Sequence, residues 1–345
     1  PQTRGGGAVK LVVDELTLDG EIRAHGQAGK GNYIGGGSGG SVWLEVGSLS
    51  GSGQIKANGG KGGPGGVTGG GGGGRVAIYY DAVSGFDLSA VRAQGSSGDE
   101  QGGGAGTVYY QNMSSDEKHL RFITEVNNIA TTTFNEVISS DVELTLDKVA
   151  LALNSDLSSA IAINDSNLTL KGSWDVDGLS LINSSVTQTQ GSISSNNGVL
   201  SLDNSILSVG VMEKTASTQT WKTVTLVNGS KLHHSAPTVA ETGTHKGIDW
   251  DVDTLSIDAT SAIDVSNRGG YLRTGTTGGS GGSYGGRGGN AYSGASVVEY
   301  GDYQSPTDFG SGGKHIHNTT PQTRGGGAVK LVVDELTLDG EIRAH

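Results

Sequence analysis

Three aspartates alternate along one segment of the chain, Asp249, Asp251 and Asp253, with Trp250 and Val252 between them. Alternate side chains of a β-strand point to opposite faces, so these carboxylates would share the outer face while the two apolar residues point inward. Calcium prefers clusters of carboxylate oxygens, and a calcium site here is one interpretation. Solvated acidic residues are the simpler one, because the sequence lacks strict Gly-Gly-x-Gly-x-Asp calcium repeats.

Aromatic and histidine side chains suggest two further kinds of binding. Trp43 and Tyr109 take equivalent outward positions in successive sequence units, and Tyr79 lies on the same outward face two residues further along. Exposed aromatics lined up on one face are what a carbohydrate-binding module needs, so a cell-surface polysaccharide is one candidate partner. His315 and His317 alternate and could share a metal, although two histidines alone are more often exposed polar residues.

No group of residues predicts catalysis. Glycine patterns that resemble phosphate loops are expected by chance with 62 glycines, and none contains Gly-Lys-Ser/Thr. Acidic residues lie mainly at predicted corners and basic residues are scattered singly, unlike the clefts of enzymes of the pectate-lyase kind. We therefore expect no enzyme and no required cofactor, calcium being the one candidate ion.

Charge and composition exclude other classes. The formal net charge of −12 disfavours nucleic acid, which needs a basic surface. No apolar run approaches the roughly 18 residues of a membrane helix. The absence of cysteine excludes a disulfide framework and cysteine-based metal sites.

The elements that would position these residues recur along the chain. A leading valine returns at positions 9, 42, 76 and 108, so the units are 33, 34 and 32 residues long. Val9, Leu11 and Val13 would point inward with Lys10 and Val12 outward. The alternation then breaks at residues 14–15, where we predict a two-residue corner. The same predicted corner recurs at 46–49, 80–83, 176–179 and 252–255. The pattern predicts an all-β chain folded as a parallel β-helix.

Glycine divides the chain into segments. Residues 111–267 contain 8 of the 62 glycines, and predicted turns beginning with Asp or Asn end there in apolar residues spaced 18, 21 and 25 apart. We predict glycine-rich β-solenoid coils over 1–110, a Ser/Thr/Asn-rich solenoid over 111–267, and a glycine-rich module over 268–320. We also predict that the glycine tracts run side by side on the flank of the β-helix as extended, polyglycine-II-like chains. These tracts lie near residues 35–40, 59–74, 102–106, 278–290 and 310–313.

Residues 321–345 repeat residues 1–25 without a change. Such self-similarity indicates a tandem array with a period of 320 residues, and we expect this chain to be a fragment of it. Its partner would be itself: Val329, Leu331 and Val333, the next copy's Val9, Leu11 and Val13, should extend the sheet and stack successive periods head to tail.

Three segments resemble the glycine-rich repeats of very large bacterial surface proteins. They are residues 35–60 (GGGSGGSVWLEVGSLSGSGQIKANGG), 70–80 (GGGGGRVAIYY) and 300–313 (YGDYQSPTDFGSGG). The resemblance implies secretion, β-helical stacking, and a role in adhesion or cell-surface structure. It brings no catalytic residues with it. The expected function is therefore a structural repeat of an extracellular fibre or giant adhesin, with a carbohydrate-binding surface module as the alternative.

Overall fold

The prediction of an all-β chain is confirmed. The structure, a computed structural model, is 48% strand, and its described residues contain no α-helix. It describes residues 3–124, 129–136, 138, 141–153, 160–189, 191–237, 245–272, 277, 279–291, 294–296, 298–304, 306–314 and 323–345. The chain forms two compact units, Pro1–Ser155 with Ser159–Leu168, and Asp156–Ser158 with Thr169–His345.

The described residues of the first unit form strands and one short 3-10 turn, Leu88–Ala90. Its strands are β1 (Ala8–Thr17), β2 (Glu21–Arg23), β3 (Ser41–Ser50), β4 (Gln54–Lys56), β5 (Arg75–Ser84), β6 (Thr107–Asn112), β7 (Lys118–Ile123), β8 (Thr132–Phe134), β9 (Val142–Asp147), β10 (Ala150–Leu153) and β11 (Ala160–Asn164). The main sheet of this unit has the order β1-β3-β5-β6-β7-β9-β11. Two further pairs, β2–β4 and β8–β10, are parallel.

The predicted repeat appears as strand register in this sheet. Val9 is opposite Val42, Val42 is opposite Val76, and Val76 is opposite Val108, in parallel pairings. Val42 and the inward residues that follow it on β3 are at most 4% exposed, so one column of apolar side chains forms the core. Burial of each such side chain stabilises the fold by roughly 1.5–3 kcal/mol.

The structure differs from the expected corner at residues 14–15. Strands β1, β3 and β5 continue through that position as single strands of 10 residues. The change of phase is a local irregularity instead, because the register omits the pair Asp14–Gly47 and resumes at Glu15–Ser48. Leu49, beyond the irregularity, is again fully buried. A strand can thus switch its inward set without ending, which the residue pattern alone does not distinguish from a corner.

A reversal interrupts the parallel order. Strands β6 and β7 pair antiparallel, with Tyr110 opposite His119, so the sheet is mixed. The intervening turn is held by Asn112, whose side-chain oxygen accepts hydrogen bonds from the backbone N–H groups of Ser114 (2.9 Å) and Ser115 (3.1 Å). Asp116 completes the turn with a φ of 60°. An uninterrupted parallel order over this segment is therefore wrong.

Glycine segments beside these strands bond to one another with a period of three residues. Gly36 and Gly39 donate to the next repeat, at Gly69 and Gly72, whereas Gly37 and Gly40 donate to an antiparallel segment, at Gln27 and Ala24. The following repeat behaves alike: Gly70 and Gly73 donate onward, and Gly71 and Gly74 donate across. The tracts are therefore two hydrogen-bonded layers.

Crowding against the preceding repeat and against the other layer explains the glycine content. A Cβ on Gly71 would lie 2.0 Å from the Gly37 carbonyl oxygen, far inside van der Waals contact. A Cβ on Gly72, which faces outward, would meet nothing nearer than 3.8 Å. A Cβ on Gly73 would instead meet the other layer, 2.0 Å from the Ala93 carbonyl oxygen. The requirement for glycine thus falls on residues that face either the preceding repeat or the other layer, where only a bare backbone fits.

The second unit follows β12 (Asn167–Leu170), which spans the boundary. Its strands are β13 (Trp174–Asp175), β14 (Gly178–Ile182), β15 (Ser185–Gln188), β16 (Ile193–Ser194), β17 (Asn196–Asp203), β18 (Ile206–Val209), β19 (Met212–Glu213), β20 (Gln219–Val227), β21 (Lys231–His234), β22 (His245–Lys246), β23 (Ile248–Ile257), β24 (Ala262–Asp264), β25 (Gly270–Leu272), β26 (Ser311–Gly312), β27 (Val329–Leu338) and β28 (Glu341–Arg343). Two parallel sheets, β14-β17-β20-β23-β27 and β15-β18-β21-β24-β28, run through it.

Asparagine and serine build the turns between these two sheets. Asn183, Asn204 and Asn228 have φ values of 50°, 45° and 57°, a left-handed conformation that asparagine tolerates better than most residues. After Asn183 and Asn204 the next residue is a buried serine, and its N–H donates to a serine hydroxyl of the following turn: Ser184 to Ser205 (2.9 Å), and Ser205 to Ser230 (3.1 Å). This serine ladder satisfies backbone groups that water cannot reach.

Candidate functional site

The described part of the repeated segment, residues 323–345, forms two strand pairings of the second unit. Strand β27 pairs parallel with β23, with Val329 opposite Ile248, Leu331 opposite Trp250, and Val333 opposite Val252. Strand β28 pairs with β24 in the same way, Ile342 opposite Ile263. The next copy is therefore seated in register on the apolar column of the unit. We call this contact the repeat junction.

The first copy of the same segment pairs on a different strand. There Val9, Leu11 and Val13 lie opposite Val42, Leu44 and Val46 of β3. In the flanking segments the two copies use different backbone groups. The first copy donates from residues 6, 18 and 24 and accepts at 4, 7, 18, 20 and 24. The second copy donates from residues 325, 327, 339, 340 and 341 and accepts at 325, 326, 328, 343 and 345. After subtraction of 320, no donor and no acceptor occurs in both sets.

Two glycines of the segment are crowded in one copy alone. A Cβ added to Gly7 or Gly20 would meet nothing within 4 Å. On the equivalent Gly327 it would lie 2.3 Å from Nε2 of His234, and on Gly340 it would lie 2.2 Å from the Ser261 carbonyl oxygen. The glycine at these positions is therefore required by the contact with the preceding period.

Apolar side chains of the segment stay partly uncovered in both copies. Leu336 is 52% exposed and Ile342 is 38% exposed, whereas Leu49 and Ile55, which hold the same positions in an inner repeat, are fully buried. In the first copy Val13 is 39% exposed. Each copy of the segment thus has one apolar side without a neighbour in the part of the chain described.

The three predicted calcium ligands are in different surroundings. Asp249 is 7% exposed, whereas Asp251 and Asp253 are exposed. Oδ2 of Asp249 accepts hydrogen bonds from Lys246 Nζ (2.6 Å) and Thr218 Oγ1 (3.2 Å). Its Oδ1 faces Nζ of Lys330 at 3.3 Å as an ion pair, outside hydrogen-bonding geometry. Lys330 is the next copy's Lys10, so Asp249 belongs to the repeat junction.

Lys246 and Lys330 already neutralise the Asp249 carboxylate that a cation would bind. Burial acts to raise the pKa of Asp249, but the hydrogen bond from Lys246 and the nearby Lys330 outweigh it, and the pKa lies below its ordinary value. Among the residues that the structure describes, no group of three or more His, Cys, Asp or Glu side chains is arranged to hold a metal ion. The calcium site stays a prediction, and Asp249 is already neutralised.

A buried histidine also contacts the next copy. His234 is fully buried, and its Nδ1 lies 2.8 Å from the Ser235 carbonyl oxygen. That carbonyl can only accept, so Nδ1 carries the proton and Nε2 is left as an acceptor. Nε2 accepts a hydrogen bond of 3.2 Å from the backbone N–H of Ala328. Burial, reinforced by the positive charge of Arg268, lowers the pKa of His234 to about 4.

Trp43, Tyr79 and Tyr109 form a continuous row on the outer face of the first unit, the aromatic ridge. Ring centroids are 5.3 Å apart for Trp43–Tyr79 and 5.8 Å for Tyr79–Tyr109. Trp43 is 42% exposed, and Nζ of Lys10 lies 5.1 Å from its ring centroid, within cation–π range.

Grooves run along both sides of the aromatic ridge. One, of about 570 Å³, is lined by Glu45, Asp81 and Met113, and the other, of about 530 Å³, by Thr107 and an Arg75–Glu136 ion pair of 2.7 Å. The rings are tilted by 32° and 57° to one another, so the ridge is a twisted surface rather than a flat platform.

Sequence reasoning did not single out His234, Lys246 or Lys330. The signal was available in part, because Lys330 is a copy of Lys10 and its outward register places it beside Asp249. No sequence signal pointed to His234, because its role depends on burial. His315 and His317 lie outside the described residues.

The chain matches no protein-family model, no curated protein sequence and no solved structure. No helix among the described residues is long and apolar enough to cross a membrane.

Proposed function

We propose that this chain is the structural repeat of an extracellular fibre or giant surface adhesin, in which 320-residue periods stack head to tail as a continuous parallel β-helix. The observation that carries the proposal is the double pairing of one sequence. Residues 8–17 pair with β3, and their copy pairs with β23, in both cases parallel and in register. In an array a single copy makes both pairings at once, with β23 on one edge and β3 on the other.

The hydrogen bonds and contacts of the two copies support this arrangement. Their flanking backbone groups do not overlap, so one segment has enough donors and acceptors for both neighbours. The apolar side of each copy that is left open is the side that the other copy has covered. Covering it removes an exposed sheet edge and stabilises the array through apolar burial.

The glycine layers fit a load-bearing role. The hydrogen bonds of these layers repeat every three residues. One set joins successive repeats and the other joins the two layers, which is the pattern expected of polyglycine II. Such layers add a hydrogen-bonded wall beside the β-helix without needing a second apolar core. The location outside the cell rests on the resemblance of the glycine-rich segments to bacterial surface proteins.

Electron microscopy of proteins with two and four consecutive periods tests the proposal. Negative-stain images should contain rods of uniform width whose length grows in proportion to the number of periods. Particles joined like beads by flexible connections would overturn continuous stacking and the fibre function with it.

A second candidate function is glycan binding at the aromatic ridge, and the ring contacts favour it. Aromatic faces flanked by carboxylate and guanidinium groups suit sugar rings, which present both C–H and hydroxyl groups. Glycan-array binding should be lost in a Trp43→Ala, Tyr79→Ala variant. The matched control is Tyr303→Ala, because Tyr303 is 91% exposed but outside the ridge. Equal loss in both variants, or no binding by the natural chain, would rule the ridge out.

A further inference from the structure

The groove of about 570 Å³ beside the aromatic ridge, here called the acidic groove, carries uncompensated negative charge. Its charged lining residues are Asp14, Glu45 and Asp81, with no basic side chain among them. All three are exposed, and their carboxylates have no hydrogen-bond or ion-pair partner in the part of the chain that the structure describes. The other groove is balanced by the Arg75–Glu136 ion pair. Like charges on the neighbouring strands β1, β3 and β5 repel one another, which disfavours an empty acidic groove.

The remaining lining of the acidic groove is aromatic and apolar. The rings of Trp43 and Tyr79 belong to it, together with the side chains of Val12 and Met113, which are 60% and 55% exposed. Exposed apolar side chains that lie next to one another commonly mark a binding surface. Aromatic rings beside unpaired carboxylates suit a ligand that combines an apolar body with a positive charge.

One ammonium group already lies against the aromatic ridge. Nζ of Lys10 is 5.1 Å from the ring centroid of Trp43, which is the residue opposite it on β3. Lys10 does not line the acidic groove and forms no ion pair with the three carboxylates. The ridge therefore accepts a cation at the face of Trp43, and the groove beside it keeps its negative charge.

From these features we infer that the acidic groove selects a positively charged glycan, a polymer of amino sugars whose amines are free and protonated. Its sugar rings would lie on the aromatic ridge, and its amines would reach the carboxylates of Glu45 and Asp81. A lysine-rich peptide supplies the charge but has no ring faces to place on three successive aromatic side chains. This inference rests on the second candidate function, glycan binding at the ridge, and adds the charge class of the glycan.

Isothermal titration of the full chain with two forms of one oligosaccharide tests the inference. The probes are a glucosamine hexamer with free amines and the same hexamer after N-acetylation, which is uncharged. At mildly acidic pH the free-amine form should bind about tenfold more tightly, because hydrogen bonds to charged groups are stronger than neutral ones. Added salt should reduce this preference, because it screens the carboxylates.

Charge and aromatic contacts are separated by two double variants. Glu45→Gln with Asp81→Asn removes charge and keeps the rings, so it should bind both forms with similar affinity. It should also be at least as stable to urea as the natural chain, because it removes like charges that repel. Trp43→Ala with Tyr79→Ala should lose both forms. The matched control is Asp177→Asn, at an exposed position of the second unit, and it should leave both affinities unchanged.

Equal binding of the two forms by the natural chain would overturn the inference and leave glycan binding at the ridge in place. A charge preference that survives in the Glu45→Gln, Asp81→Asn variant would also overturn it. Tetralysine binding as tight as that of the free-amine hexamer, and unchanged in the Trp43→Ala, Tyr79→Ala variant, would establish a peptide site instead. Binding of neither hexamer by the natural chain would reject the glycan function together with the inference.

Discussion

Nε2 of His234 accepts the backbone N–H of Ala328 at 3.2 Å, which couples a buried imidazole to the first strand of the next period. The bond requires the neutral ring, because Nδ1–H is already committed to the Ser235 carbonyl group. A protonated ring would direct an Nε2–H at the Ala328 N–H and leave a buried charge. The ionisable groups that act on it are Arg268 and His233, and both disfavour the proton.

The repeat junction should therefore weaken in acid. The pKa of His234 is about 4 in the folded chain against 6.5 for the free side chain, so the unfolded state takes up the proton first as the pH falls. Its stabilising contribution is full above pH 6.5, declines between 6.5 and about 4, and is lost below that. The full effect is about 3 kcal/mol.

Hydrogen exchange of residues 329–343 between pH 7.5 and 4 measures this effect. His234→Gln keeps an acceptor for Ala328 but has no proton to gain, so its profile should be flatter than that of the natural chain. An equally steep pH dependence in the glutamine variant would show that His234 is not responsible.

Substitution within one glycine run should have opposite effects at adjacent positions. Gly71→Ala places a methyl group 2.0 Å from the Gly37 carbonyl oxygen and should separate these two stacked repeats, costing about 2 kcal/mol or more of unfolding free energy. Gly72→Ala meets nothing nearer than 3.8 Å and should be neutral, or stabilising by about 0.5 kcal/mol through the unfolded state. Urea unfolding of both variants measures the difference, and equal losses would contradict the close stacking of successive glycine segments.

Asp249→Asn should destabilise the repeat junction. The substitution leaves Lys246, whose side chain is 10% exposed, without its anionic partner and weakens the contact to Lys330. Removing one partner of such a buried pair costs about 3 kcal/mol, measurable by thermal unfolding. Asp251→Asn, at an exposed position of the same strand, is the control and should change little.

Variants of the two exposed aspartates, Asp251 and Asp253, test the predicted calcium site. Because Asp249 is held by two lysines, we expect added calcium to leave the melting temperature of the natural chain unchanged. A rise with calcium that disappears in Asp251→Asn or Asp253→Asn would instead establish a site formed by the outer aspartates.

Ser205→Ala should disrupt the turns of the second unit. The Ser205 hydroxyl accepts the Ser184 N–H at 2.9 Å and donates to the Asp203 carbonyl oxygen at 2.7 Å. Its loss leaves a buried N–H without a partner, at a cost of about 1–3 kcal/mol in unfolding free energy. The control is Ser185→Ala, because Ser185 lies one turn earlier and is partly exposed. Similar small losses of unfolding free energy in both variants would mean that the serine ladder adds no stability.

Period and strand content could be predicted from the sequence because each depends on local pattern. Alternation from Val9 to Val13 specifies a strand with one apolar face, and the recurring valines specify which strands are neighbours. The exact repeat of 25 residues likewise predicts self-association. These properties follow from side-chain spacing, which a linear sequence displays directly.

Tertiary structure decided the rest. Whether residues 14–15 form a corner or an irregularity within β1 depends on pairing with β3, and the reversal between β6 and β7 depends on how Asn112 caps its turn. Asp249 has the same residue type and spacing as Asp251, but it is buried, and two lysines that meet at the repeat junction neutralise its charge. Burial and charge pairing arise from contacts between segments far apart in the chain, so the identities of neighbouring residues do not determine them.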